Sequence, residues 1–163
     1  MRLVFYSDDK MLECFLDGRV KDIPASCVVR NEVNKWRKLH DPKQVVSAMT
    51  HDPYSRPPVM PRQFPRGTWA VYKPRSRPHN PYLAPYFIPT DAEQLLEVWD
   101  TDLDGGYSKA TGKRVLDIGY GLHYSSSNTT VGCIRIHSEG DLLWLAQQIT
   151  EEIERGHIIS LSV

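Results

Sequence analysis

A mainly β or α+β fold is what this sequence predicts, and three observations carry it. Apolar residues alternate along the first thirty positions. A single late segment carries a long helical stripe, and proline or glycine punctuates most of what lies between. The 163 residues (18.7 kDa) suit one domain spanning 1–163, long enough to bury a core without staples. Twenty basic and twenty acidic side chains cancel, with a pI near 7.0, so no basic field draws in nucleic acid or anionic lipid. The longest apolar run, Leu142 to Ala146, is far below the ~20 residues of a membrane span, which excludes membrane insertion.

Leu3 and Phe5, then Leu12, Cys14 and Leu16, keep the two-residue period of half-buried strands. Asp17-Gly18 supplies a tight hairpin turn, and Val20, Ile23 and Cys27-Val28-Val29 form the return strand, with Pro24 at a kink or edge. A two-residue turn there sets Cys14 opposite Lys21 and Cys27 opposite Asp8. The two thiols would then lie about 20 Å apart at ~3.3 Å per residue, beyond disulfide reach. Val33, Trp36 and Leu39 recur at helical spacing until Pro42, and Lys43 to Met49 suggests a second short helix.

From Pro53 to Pro89 the chain concentrates most of its twelve prolines around one strand, Gly67 to Tyr72. Such a stretch reads as a stiff surface loop walling a cleft more readily than as a proline-rich ligand for another protein's groove. Thr90-Asp91-Ala92-Glu93 has capping-box form and predicts a helix through Trp99. Asp104-Gly105-Gly106 is a break. Val115, Leu116 and Ile118 lead as a buried strand into Gly119-Tyr120-Gly121-Leu122-His123, and Tyr124 to Thr130 is a polar loop. Ser138 to Asp141 caps a helix with Leu142, Leu145, Ile149 and Ile153 on one face. Gly156 stops it before a closing strand at Ile158 to Leu161.

The chemistry gathers between His123 and Arg135. A cysteine after a glycine, with a histidine at the preceding strand end, has the parts of a thiol nucleophile: imidazole takes the proton and the thiolate attacks. Gly132 would let a substrate carbonyl approach, and backbone N–H groups before Cys133 would hold the oxyanion. Arg135, two residues on, shares the Cys133 face of a strand and suits a carboxylate. Cys14 and Cys27, flanked by apolar neighbours, read as core. A zinc site of His123, Cys133 and His137 lacks a fourth ligand and paired spacing. His40, His51 and His79 sit in polar or proline-rich segments and read as solvated.

His123 and Thr130-Val131-Gly132-Cys133-Ile134-Arg135 together resemble the signature of the L,D-transpeptidase catalytic domain. That signature is an upstream histidine, then Ser/Thr-His-Gly-Cys, an apolar residue, and Arg or Asn. Val131 stands where the family has its second histidine, and the His123–Cys133 loop is shorter than usual. The opening hairpin, Phe64 to Trp69, Ala84 to Ile88 and the C-terminal helix and strand are similar to family segments. Residues 30–60 look like an insertion. The resemblance implies a β-sandwich with a few peripheral helices and a C-terminal helix. It implies Cys133 as nucleophile and His123 as base, the latter oriented by the Tyr124 carbonyl or the Ser125 hydroxyl. Substrate contacts are implied at Thr130, Gly132, Arg135, Tyr124, Ser125 and Tyr86.

The implied activity is thioester acyl transfer on peptidoglycan stem peptides, as L,D-transpeptidase or L,D-carboxypeptidase, with no metal or cofactor. The place of action would be the periplasm or cell wall. The first residues meet charge at Asp8 and leave no room for a signal-peptide core, which points to a mature form, a phage product or a secreted effector. An effector would bring an immunity protein and delivery machinery as partners. A non-catalytic wall-binding or phage-structural module, and another thiol peptidase or amidase, are the alternatives. A nucleophilic Cys133 should be exposed in a cleft and within about 3–4 Å of His123, whereas a structural one should be buried away from it.

Overall fold

Alternation builds the first strands. In the computed structural model, which describes residues 1–29, 58–101 and 107–163, β1 (Arg2–Tyr6) and β2 (Met11–Leu16) pair antiparallel with Leu3, Phe5, Leu12 and Cys14 buried. Asp17 and Gly18 both have positive φ (49° and 73°), the geometry of a type I′ hairpin turn, and they join β2 to β3 (Arg19–Ser26). Cys14 faces Lys21 as expected, but the ladder ends at Met11–Pro24, so Cys27 does not continue it to Asp8.

β3 turns its other edge to β10 (Ile134–Ile136), which runs parallel to β9 (Gly121–Tyr124). β9 pairs with β6 (Tyr86–Pro89), and β6 with the short β5 (Arg75–Ser76). On the far side, β1 runs parallel to β11 (Ile159–Ser162), which pairs with β4 (Thr68–Val71). This nine-stranded sheet has the order β4-β11-β1-β2-β3-β10-β9-β6-β5. It curls: Val71 bridges Thr90, and Tyr72 N–H donates to the Pro89 carbonyl at 2.9 Å, drawing the two ends together.

The enclosed face holds the core, and α1 (Glu139–Glu154) packs Leu142, Leu145, Ala146 and Ile149 into it. Ser138 is the N-cap, its hydroxyl accepting from Asp141 N–H, with Glu139 and Asp141 in the positive first turn. The fold is therefore mainly β with a C-terminal helix. The helix spacings at 30–52, the 30–60 insertion and the Asp104–Gly106 break lie wholly or largely outside the described residues.

The helix expected from Thr90 to Trp99 is instead a strand. β7 (Gln94–Thr101) pairs antiparallel with β8 (Tyr107–Asp117) as a separate ribbon, burying Leu96 and Val98 against Val59 and Val115 while Leu95 and Glu97 face out. The Thr90 hydroxyl donates to the Tyr120 carbonyl (2.7 Å) and accepts from Ala92 N–H (3.3 Å), a local turn rather than a helix cap. Partner pairing and two-residue alternation outweigh the cap motif. The ribbon is pinned to the body by Tyr120, which is wholly buried. Its hydroxyl donates to Asp117 Oδ2 at 2.6 Å and accepts from Gln94 Nε2 at 2.8 Å.

Candidate active site

Strand register sorts the side chains around Cys133 into two faces. Ile88, Leu122, Ile134 and Cys27 fall on the core side, since Ile88 pairs with Leu122 and Leu122 with Ile134. The next residues, Phe87, His123, Arg135 and Ser26, line up across four strands on the opposite, outer face. Cys133 immediately precedes β10, two residues before Arg135.

His123 is only 7% exposed, with the Phe87 ring 6.4 Å away, centroid to centroid. Its Nδ1 lies 3.0 Å from the Tyr124 carbonyl oxygen. Burial holds the imidazole below the ordinary histidine range. The Tyr124 carbonyl opposes that shift, Arg135 adds to it, and the Tyr82 main chain opposes it again. His123 is thus neutral at pH 7. A proton on Nδ1, donated to Tyr124 O, leaves Nε2 as the basic nitrogen.

None of the three cysteines forms a disulfide, and they differ in setting. Burial pushes Cys14 up to about 12 and Cys27 up to about 11, out of reach of thiolate chemistry at neutral pH. Cys133 is partly exposed, and its Sγ lies 3.8 Å from the Gly119 carbonyl oxygen. The turn before it is fixed by Thr130, whose hydroxyl donates to the Cys133 carbonyl (2.7 Å) and accepts from Gly132 N–H (3.3 Å). From the core side, the Cys27 thiol donates to the Gly132 carbonyl and accepts from Phe64 N–H, each at 3.3 Å.

Several expected roles change. Gly132 does not clear space for substrate: it is buried at φ 114°, and a Cβ there would lie 2.7 Å from Tyr120 Cε1 and 2.9 Å from the Arg62 carbonyl oxygen. It is glycine because the turn packs onto the protein. Its N–H, engaged by Thr130, is a poor oxyanion donor. Tyr86 and the Tyr124 side chain pack against the core, away from the outer face, so only the Tyr124 carbonyl serves the site. The Ser125 hydroxyl accepts from Ser127 N–H, and its carbonyl accepts from Arg135 Nε at 2.7 Å, so Ser125 positions Arg135 rather than the imidazole. Phe87, Ser26 and Tyr82 join the site without any local sequence signal.

Among the described residues, no group of three or more His, Cys, Asp or Glu side chains converges as metal ligands would. His137, offered to zinc by the sequence, instead has Nε2 2.8 Å from the Ser26 hydroxyl. A cleft of about 340 Å³ opens beside Cys27, Phe64 and Arg66, and a groove of about 640 Å³ lies between Tyr72 and Ile158; neither is lined by Cys133 or His123. Comparison with protein-family models, curated proteins and solved structures finds no match to this chain.

Proposed function

We propose that this protein is a cysteine acyltransferase or hydrolase acting on peptidoglycan stem peptides, an L,D-transpeptidase or L,D-carboxypeptidase. What supports the reading is one partly exposed thiol, Cys133, immediately before β10, and a buried imidazole, His123, on the neighbouring parallel strand β9 with Nδ1 3.0 Å from the Tyr124 carbonyl oxygen. The cap on Nδ1 gives the base its tautomer, and the carbonyl steadies the imidazolium once formed.

In this reading His123 takes the Cys133 proton, and sulfur attacks the carbonyl of the diamino acid at the third stem position. The carbon–nitrogen bond breaks, and the terminal D-alanine leaves with the proton from His123. An amine or water then attacks the thioester, giving a cross-link or a trimmed stem and restoring the thiol. The chemistry calls for no metal or cofactor. It places the protein's work in the periplasm or cell wall, with an immunity protein as partner should the chain act as an effector.

Purified tetrapeptide muropeptides incubated with the wild type and with Cys133→Ala, then weighed by mass spectrometry, test it. Tripeptides indicate hydrolysis and dimers indicate cross-linking. Identical products from the two proteins would remove the enzymatic reading and leave a wall-binding module.

A further inference from the structure

Of the two buried thiols, Cys27 is tied to the peptide unit that enters Cys133. Its Sγ donates to the Gly132 carbonyl oxygen at 3.3 Å, although 105 residues separate the two in sequence. Phe64 N–H donates to the same sulfur at 3.3 Å. Across a trans peptide a carbonyl oxygen lies about 2.8 Å from the next Cα. The Cys27 sulfur is therefore no more than about 6 Å from the Cys133 Cα. A disulfide sets a sulfur about 4 Å from its partner's Cα, so closure needs a shift of about 2 Å.

Neighbouring contacts hold the two segments together. The Val28 carbonyl accepts from Thr130 N–H at 2.8 Å, and Val29 bridges Thr130 in parallel. Cys133 Sγ reaches the Gly119 carbonyl only at 3.8 Å, a weak bond to give up. Electrostatics agree: burial raises the Cys27 thiol to about 11, Phe64 N–H opposes the rise, and charge on Cys133 adds to it, so the two sulfurs feel each other. The charges acting on Cys14 are instead Lys21, Asp22 and Asp141. The cleft of about 340 Å³ reaches Cys27, which gives water a way out on that side.

We propose that Cys27 is the resolving thiol of a peroxide-driven switch, in which hydrogen peroxide oxidises Cys133 and a reversible Cys27–Cys133 disulfide then closes across the Gly132 turn. In the first step the Cys133 sulfur attacks peroxide. A sulfur–oxygen bond forms, the oxygen–oxygen bond breaks, and hydroxide leaves with the thiol proton as water, giving a sulfenic acid. In the second step the Cys27 sulfur attacks the Cys133 sulfur. The sulfur–sulfur bond forms, the sulfur–oxygen bond breaks, and hydroxide leaves with the Cys27 proton as a second water. Two thiols are oxidised and one peroxide is reduced. The bond stands on the geometry alone. Its consequence, that acyl transfer stops while Cys133 is bridged, rests on the reading of Cys133 as the nucleophile.

The full reduced chain, treated with hydrogen peroxide, alkylated and digested without reductant, tests the bond by mass spectrometry. A peptide pair joining Cys27 to Cys133, two hydrogens lighter than its parts and released by dithiothreitol, is expected. Cys27→Ser keeps a hydroxyl toward Gly132 and Phe64 and should leave Cys133 as a sulfenic acid that dimedone traps; Cys14→Ala should leave the bridge unchanged. Cys133 advancing to sulfinic acid without that pair, or joined to Cys14 or to a second chain instead, overturns the switch. So does a Cys27→Ser chain that still forms an internal disulfide.

A second arm follows turnover of tetrapeptide muropeptides before oxidation, after it, and after dithiothreitol. A loss of at least tenfold that the reductant restores supports the switch. Turnover by the reduced chain with no bridge on oxidation sinks the switch and leaves acyl transfer standing. A bridge in a chain that never turns over substrate sinks acyl transfer and leaves the disulfide, whereas undiminished turnover by the bridged chain removes Cys133 as the nucleophile.

Discussion

Arg135 stands directly opposite His123 in the parallel ladder between β9 and β10. Burial first, and the facing guanidinium after the opposing Tyr124 carbonyl, set the proton affinity of that imidazole below the ordinary value of 6.5. A base so placed is ready to accept a proton at neutral pH. The acidic limb of the kcat/KM profile is therefore expected below 6.5, and Arg135→Gln should move it upward by removing a positive neighbour. A limb that stays in place in that variant would separate Arg135 from His123.

The same shift has a stability consequence. Unfolded His123 takes up its proton near 6.5, whereas the folded residue resists, so the unfolded chain binds more protons as pH falls through that window. Stability contributed at neutral pH is lost on acidification below 6.5 and levels off beneath the folded value. Urea midpoints across this range should fall more for the wild type than for His123→Gln.

Thiol labelling should be selective. Cys14 and Cys27 are held at about 12 and about 11 by burial, so iodoacetamide at neutral pH should modify Cys133 alone in the native protein. Peptide mass mapping reads this out, and His123→Gln should slow the reaction. Early labelling of Cys27 would mean that the turn opens readily.

Thr130 holds the Cys133 turn through one hydroxyl used as donor and acceptor. Thr130→Val keeps the shape and removes both bonds. A loss of about 1–2 kcal/mol in stability is expected, with a fall in activity larger than the change in melting temperature would explain. An activity unchanged by Thr130→Val would show that the turn holds Cys133 without it.

Gly132→Ala meets two obstacles together: a φ of 114° and a Cβ within 3 Å of Tyr120 and of the Arg62 carbonyl. Strain and overpacking should cost about 2–4 kcal/mol, visible in denaturant midpoints. The mutant turn should also shift Cys133, so thiol labelling is expected to lose its selectivity.

What the sequence determined by itself is what short stretches encode. Asp17-Gly18 adopts the positive dihedrals its turn requires, Ser138 caps the helix before its apolar stripe, and Leu3, Phe5, Leu12 and Cys14 alternate into the core. The separation of Cys133 from Cys14 and Cys27 was legible too, because apolar neighbours signal burial and glycine and arginine do not. Tertiary structure decided what depends on partners distant in the chain. Thr90 to Trp99 carries a cap motif, yet its backbone hydrogen bonds go to β8, and pairing outweighs the local signal. Gly132 looked like room for a substrate, and only the approach of Tyr120 and Arg62 shows that the protein fills that space. Ser26 and His137 are 111 residues apart in sequence, and no spacing rule could have joined them. The antiparallel ladder of β3 and β10 does so, because register across neighbouring strands, and not order along the chain, fixes which side chains share a face.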